Sequence, residues 1–427
     1  MNISEIYEIY LQSTGISTDT RKIQAGNIFF ALKGTTYDAN TFADKALAEG
    51  ANYAVIDNPE YKRTEKHILV KDTLDCLQQL ALFHRNQFNI PIIAITGSNG
   101  KTTTKELVGA VLSKKYITHV TQGNLNNHIG IPLTLLAMKP GTEIAVIEMG
   151  ANHQGEIKSY CEYTRPTHGI ITNIGKAHLE GFGGIEGVKK GKGELYNYLL
   201  KHDGNIFINT TDKTLMEMSH FKNPITYPQP GDFLQCKMLD SSPYLRIQTE
   251  SGLQFETQLT GTYNFANISA ALCVAKYFHV SEHDAVEAIM DYIPQNNRSQ
   301  VIKKGTNTII LDAYNANPTS MREAISNLAI LRMDFKKCLM LGDMYELGEE
   351  SEAEHESLGK FIGQHAFDIV CLCGKHMKYA HKACPASKYF ESKEELHKYL
   401  MDEKINNAYI LIKGSRGMSM ETLLEAL

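Results

Sequence analysis

The run Thr96-Gly97-Ser98-Asn99-Gly100-Lys101-Thr102-Thr103 carries the residue types that hold a polyphosphate. A glycine-containing turn between a strand and a helix exposes successive backbone N–H groups, and the helix N-terminus adds partial positive charge. Lys101 would set a point charge against β- and γ-phosphates, and the Thr102 hydroxyl would reach Mg²⁺. The spacing departs from GxxxxGK[ST], because Ile95 stands where the first glycine belongs. A lone GxxGKT can be a chance turn, so its flanks decide. Further on, Glu148 ends the apolar run IAVIE, where open α/β sheets place ligand-binding groups. Asn264 and Asn267, three apart at a predicted helix start, can face one ligand or cap the helix. Arg298 and Asp312 could reach a nucleotide or pair across a domain interface.

Positioning these residues requires three blocks. Residues 1–88 read as a small α/β unit, with strands at Asn27–Lys33, Tyr53–Ile56 and His67–Val70 and helices over 40–49 and 72–88. Residues 89–296 open with the buried strand Ile92–Thr96, the loop, and a helix from about Thr102 to Lys115. Strands near 144–149, 169–172 and 205–209 extend a parallel sheet, 232–259 reads as an antiparallel meander, and 267–278 returns to helix. Residues 297–427 form a Rossmann-like third block. Its strands lie near 308–311, 338–341, 368–373 and 408–413, and its helices near 319–331, 352–365, 393–402 and 419–427. It lacks GxGxxG, so no dinucleotide is expected. The fold class is α/β in three domains.

Composition removes several alternatives. Lys+Arg 43 against Asp+Glu 48 leaves a net charge of −5, which argues against a general nucleic-acid coat or a polybasic membrane binder. No apolar run approaches the roughly 20 residues of a membrane-spanning helix, and MNISEIYEIY has neither half of a signal peptide. Eight cysteines without a CxxC pair suit a reducing, cytoplasmic setting, and Cys371 and Cys373 would share one buried sheet face. A monomer is expected.

The motifs together resemble the Mur ligases, the amide-forming synthetases of peptidoglycan assembly. TGSNGKTTTKE (96–106) is similar to that family's ATP loop. GNLNNHIGIPLTLL (123–136), EMGANHQGEI (148–157), TNIGKAHLEGFGG (172–184) and KGELY (192–196) continue the likeness. GTYNFANISAA (261–271), DAYNANPTSM (312–321), LGDMYELGEE (341–350) and KGSRGM (413–418) carry it nearly to the end. Tyr263 stands where the family often has His, and Lys176 where Pro is common.

The resemblance implies ATP-dependent addition of D-alanyl-D-alanine to UDP-N-acetylmuramoyl-tripeptide through an acyl phosphate. Such chemistry needs charge neutralisation at the γ-phosphate more than a protein nucleophile. It implies Mg²⁺ held by Thr102, Glu148 and His178, and a carbamylated Lys192 as a further ligand. By composition alone, Lys189-Lys190-Gly191-Lys192 is a solvated charge run. It further implies adenine near Asn264 and Asn267, phosphate near Arg298, and ribose near Asp312. The UDP end would meet Thr18, Lys33 and Asp38, and the peptide Asn126 and Asn127. A folylpolyglutamate synthase-like ligase would share the ATP chemistry, and a nucleotide switch would share only the loop.

Overall fold

The structure, a computed structural model, describes residues 1–295, 297–331 and 335–427. Asn296, the last residue of the expected second block, lies outside them. Four sheets organise the chain. The first is parallel and four-stranded, in the order Ile16–Ser17, Ile28–Phe30, Tyr53–Ile56 and His67–Leu69. The helix Thr73–Arg85 follows. Asp72 caps it by accepting from Asp75 N, and Cys76, Leu77, Leu80, Ala81 and His84 are buried along it. That spacing is the apolar stripe of a helix facing a core.

The central sheet has six parallel strands, ordered Ile225–Tyr227, Asn205–Asn209, His168–Ile171, Ile92–Thr96, Ile144–Glu148 and Thr118–Val120. Ile92–Thr96 lies mid-sheet with a strand on either side, which is why all five residues are buried and apolar or satisfied. The helices Lys101–Ser113 and Asn264–Tyr277 pack together on one face, around Leu107, Val108, Ile268 and Leu272. A three-stranded antiparallel meander, Cys236–Asp240, Arg246–Thr249 and Gln254–Glu256, sits within the expected span.

The third sheet block is also six-stranded, in the order Gln300–Lys304, Asn307–Asp312, Ala408–Lys413, Lys336–Gly342, Ile369–Cys373 and Lys388–Phe390. Its first strand runs antiparallel at the edge, and the rest are parallel. Cys371 and Cys373 are both buried in this sheet's core, and burial pushes each thiol up to about 12, so neither is a ready nucleophile.

Three elements differ from expectation. The helix expected over 40–49 is a 3₁₀ turn, Ala39–Phe42, followed by the short helix Ala43–Ala48. Asp38 caps that turn by accepting from Asn40 N, which favours the tighter start. The expected helix at 419–427 is 3₁₀ over Met420–Ala426, entered through left-handed Ser419. The charge run around Lys192 is the interior of a helix, Ile185–Lys201, with Lys192 inside. Among the described residues, no helix is long and apolar enough to cross a membrane.

Candidate active site

The phosphate-type loop begins where the mid-sheet strand ends. Thr96 donates its hydroxyl to Met149 O at 2.7 Å, tying this strand end to its neighbour. Gly100 then takes a left-handed φ of +77°, and a Cβ there would lie 2.5 Å from Asn267 Oδ1, so only glycine fits. The helix Lys101–Ser113 starts at once, with Thr104 N donating to Gly100 O. N–H groups before Thr104 have no intrahelical acceptor, the condition for anion binding. The loop's earlier donors are committed. Ser98 N and Asn99 N bond Asn173, through its carbonyl and its Oδ1. Lys101 folds back, its Nζ donating to Gly97 O at 2.8 Å and Ser98 O at 3.0 Å. Burial lowers its ammonium to about 8, against the opposing pull of Glu148.

Glu148 is the node behind the loop. It is 1% exposed, and its Oε1 accepts from Thr102 Oγ1 at 3.1 Å and Asn126 Nδ2 at 2.6 Å. Its Oε2 is buried with no partner among the described residues. A buried carboxylate oxygen left unpaired is costly unless a cation completes it. Lys192 is as deeply placed. Its Nζ donates to Ala151 O at 3.0 Å and lies 5.0 Å from the Phe182 ring centroid. Burial, and then the charge of Lys101, depress its ammonium well below the ordinary lysine value. Gly187 and Gly191 let Phe182 approach, since a Cβ at either would clash with it at 1.8 and 2.5 Å. His178, in a left-handed conformation at φ +54°, places Nδ1 2.5 Å from Glu346 Oε2 and holds that carboxyl below its ordinary value. Glu346 is itself left-handed at φ +61°.

The third block closes the far wall. Asn317 Nδ2 donates to Asn99 Oδ1 at 2.7 Å, so the tip of the loop is read from across the boundary. Arg298 stacks its guanidinium 3.6 Å from the Tyr314 ring centroid and leaves a buried Nε unpaired. Asp312 accepts from Ser299 N at 3.1 Å and from buried Lys413 at 2.5 Å. Asn264 and Asn267 do not cap their helix but bond to one another and to its neighbours. Asn267 Nδ2 donates to Asn264 Oδ1, Asn264 Nδ2 to Thr260 O, and Thr104 to Asn267 Oδ1, with no side-chain cap at this helix. Both still border the cleft.

The cleft measures about 470 Å³. Of the residues singled out above, Ser98, Asn99, Gly100, Lys101, Thr103, Asn126, Asn127, Glu148, His178, Asn264, Asn267, Arg298 and Asp312 line it. Thr96, Gly97, Thr102 and Lys192 lie behind its wall. Asn127 Oδ1 accepts from Ile129 N and Gly130 N, shaping the turn into the helix Gly130–Leu136. Thr18, Lys33 and Asp38 are elsewhere, on the first sheet's loops. There Lys33 pairs with Asp57 at 2.8 Å and forms an isolated bridge with Asp38. Sequence reasoning missed Asn173, Tyr314, Lys413, Glu346 and Glu323 as individual cleft-builders. Tyr314, Glu346 and Lys413 were within quoted motifs, whereas Glu323 had no signal beyond its helical register.

Known proteins resemble this chain over nearly its full length. The Mur ligase middle domain matches residues 95–275, and the Mur ligase glutamate ligase domain matches 297–416. The description "Mur ligase family, catalytic domain" matches residues 12–85. A relative from Bacillus subtilis, UDP-N-acetylmuramoyl-tripeptide–D-alanyl-D-alanine ligase, is 36% identical across 97% of this chain and 93% of its own. The chain belongs to the Mur ligase family. Among solved Mur ligases, MurF from Acinetobacter baumannii superposes with a TM-score of 0.88 at 31% identity, covering 99% of this chain and 98% of that one. MurF from Thermotoga maritima in complex with ADP gives 0.85 at 27% identity, covering 98% and 97%. The Mur ligase fold therefore extends through all three blocks.

Proposed function

We propose that this chain is an ATP-dependent amide ligase that joins D-alanyl-D-alanine to UDP-N-acetylmuramoyl-tripeptide, releasing ADP and phosphate. The observation that carries the reading is the meeting of Lys101 and Glu148 in one cleft, with buried Lys192 behind its wall on the carbonyl of cleft-lining Ala151. Near-full-length similarity to ligases of that name supports the choice of substrates. A carboxylate does not condense with an amine in neutral water, because oxide is a poor leaving group. The tripeptide carboxylate attacks the γ-phosphorus, ADP departs, and the amine then displaces phosphate from the acyl carbon. Lys101 is poised to leave its own loop carbonyls for the γ-phosphate, stabilising charge as it develops. Arg298, Asp312, Asn264 and Asn267 would hold the nucleotide with Thr96 to Thr103, and Asn126 and Asn127 would face the peptide.

The donor set fits Mg²⁺. The unpaired Glu148 Oε2, with the Thr102 hydroxyl on Oε1, offers hard oxygen ligands, with His178 as a third candidate. The ion would supply charge neutralisation to the phosphates when bound. Lys192 suits carbamylation, because only a neutral amine attacks CO₂, losing a proton as the N–C bond forms. Its depressed ammonium favours that neutral form. In this reading residues 1–88 hold the UDP end through Thr18, Lys33 and Asp38, 89–296 bind ATP, and 297–427 complete the cleft. The enzyme works as a cytoplasmic monomer, without nucleic acid or membrane insertion. Phosphate release should require ATP, UDP-tripeptide and D-alanyl-D-alanine together, tested with both lysine- and diaminopimelate-containing tripeptides. Equal release without the dipeptide would overturn it.

A further inference from the structure

Glu323 is a cleft-lining carboxyl that the proposed chemistry leaves unused. It lies on the helix Pro318–Ile330, one turn beyond Ser320, which borders the same cleft. Among the described residues, no hydrogen bond or ion pair engages its side chain. Asp312, beside it, is differently placed: each of its oxygens already accepts a bond, from Ser299 N and from Lys413 Nζ. The charges acting on Glu323 are Lys413 and Asp312, at the ends of two neighbouring strands, and Glu323 in turn acts on Tyr263 before the helix Asn264–Tyr277. Lys101 instead feels Glu148 and Arg298. Glu323 therefore shares its part of the cleft with Asp312, Lys413 and Tyr263.

A nucleotide held as proposed, with phosphates at Gly100 and Lys101 and its sugar against Asp312, brings its nucleoside to that part of the cleft. The nucleoside carries two vicinal hydroxyls, both donors, and Glu323 is a carboxylate there that, among the described residues, accepts no other bond. We infer that Glu323 accepts a hydrogen bond from a ribose hydroxyl of the bound nucleotide and so selects ribonucleotide over deoxyribonucleotide. The inference rests on the proposed ATP reading and names a residue for its sugar. Burial pushes the Glu323 carboxyl up to about 7, with Lys413 opposing, so near neutrality the ionised, stronger acceptor is readily reached. A hydroxyl donating to it would draw it into that form.

Ligation by the full-length protein should be compared for ATP, 2′-deoxy-ATP and 3′-deoxy-ATP, in wild type and in Glu323→Gln and Glu323→Ala. The wild type should prefer ATP over one deoxy analogue, and both variants should cut that preference by about tenfold, as loss of a charge-assisted bond does. The loss should appear in KM for ATP and for the analogue that keeps the contacted hydroxyl, with the value for the disfavoured analogue unmoved. Glu323→Gln preserves shape, so a folding defect in the Ala variant would not mask the result. A preference unchanged in Glu323→Gln, or no preference in wild type, would overturn the inference while leaving ATP-dependent ligation intact. Absence of ATP-dependent ligation in wild type would overturn the functional reading and this inference together.

Discussion

Two seams join the three sheet blocks, and they are built from different chemistry. Between the first and central blocks, side chains donate to backbone carbonyls. Tyr10 OH donates to Leu136 O, Arg85 donates to Thr164 O and Arg165 O, and His84 Nε2 meets Met138 O at 2.9 Å. Tyr7 holds the other His84 nitrogen at 3.0 Å, and Phe83 and Phe88 pack around this cluster. Between the central and third blocks, side-chain pairs predominate, beside two bonds from backbone N–H groups, Lys176 N to Thr319 Oγ1 and Glu180 N to Glu346 O. Lys176 pairs with Glu354 and His178 with Glu346, each at 2.5 Å, with Asn317 on Asn99 and Tyr263 on Ser299. Lys176 is 46% exposed and Glu346 53%. Each pair has one solvent-facing member and one largely covered one, Glu354 at 11% and His178 at 20%, so water replaces these contacts more readily than the buried bonds to fixed carbonyls. The first seam fixes a platform. The second is expected to open for substrates and close over them, keeping water from an acyl phosphate.

The largest effect should fall at the centre the two seams enclose. Lys101→Ala should lower turnover by on the order of 10²-fold or more while leaving both seams intact. Near-normal turnover at saturating ATP would remove the loop from the chemistry. Lys192→Ala should also lose activity, partly regained with added short-chain carboxylic acids that stand in for carbamate oxygens. Full activity without bicarbonate or acid would exclude the carbamate.

How much of this was legible depended on sequence distance. The strand–loop–helix at 92–113 was readable because hydrophobic run, glycine and lysine are contiguous. Glu148 was readable as a strand end. The partners that complete the site were not, because Asn99 and Asn317 are 218 residues apart and Asp312 and Lys413 are 101. Lys192 misled by composition. Its neighbours Lys189 and Lys190 belong to a charged run, yet the helical turn sends Lys192 inward against Phe182. The third block's parallel strands were visible as apolar runs, but its antiparallel edge, QVIKK, has no clean alternation to announce it.

At the first seam, His84→Ala should destabilise the protein by about 2–4 kcal/mol, since it empties a buried ring and strands two polar partners. Thermal or urea unfolding would measure this. Burial holds His84 below its ordinary value, so as pH falls through about 6.5 the unfolded chain takes up a proton that the folded seam refuses. Stability should thus decline with acid over that range, and His84→Gln should flatten the decline. At the second seam, Glu354→Gln should change stability by about 1 kcal/mol or less, yet widen the spread of central-to-third distances. A His84→Ala cost no greater than that of Glu354→Gln would erase the distinction.

Distance distributions across both seams test the account most directly. Spin labels would be paired across each seam, with and without UDP-tripeptide and a non-hydrolysable ATP analogue. The account predicts an unchanged first-seam distance and a second-seam distance that shortens and narrows when both ligands bind. Equal change at both seams, or no change at the second, would contradict it.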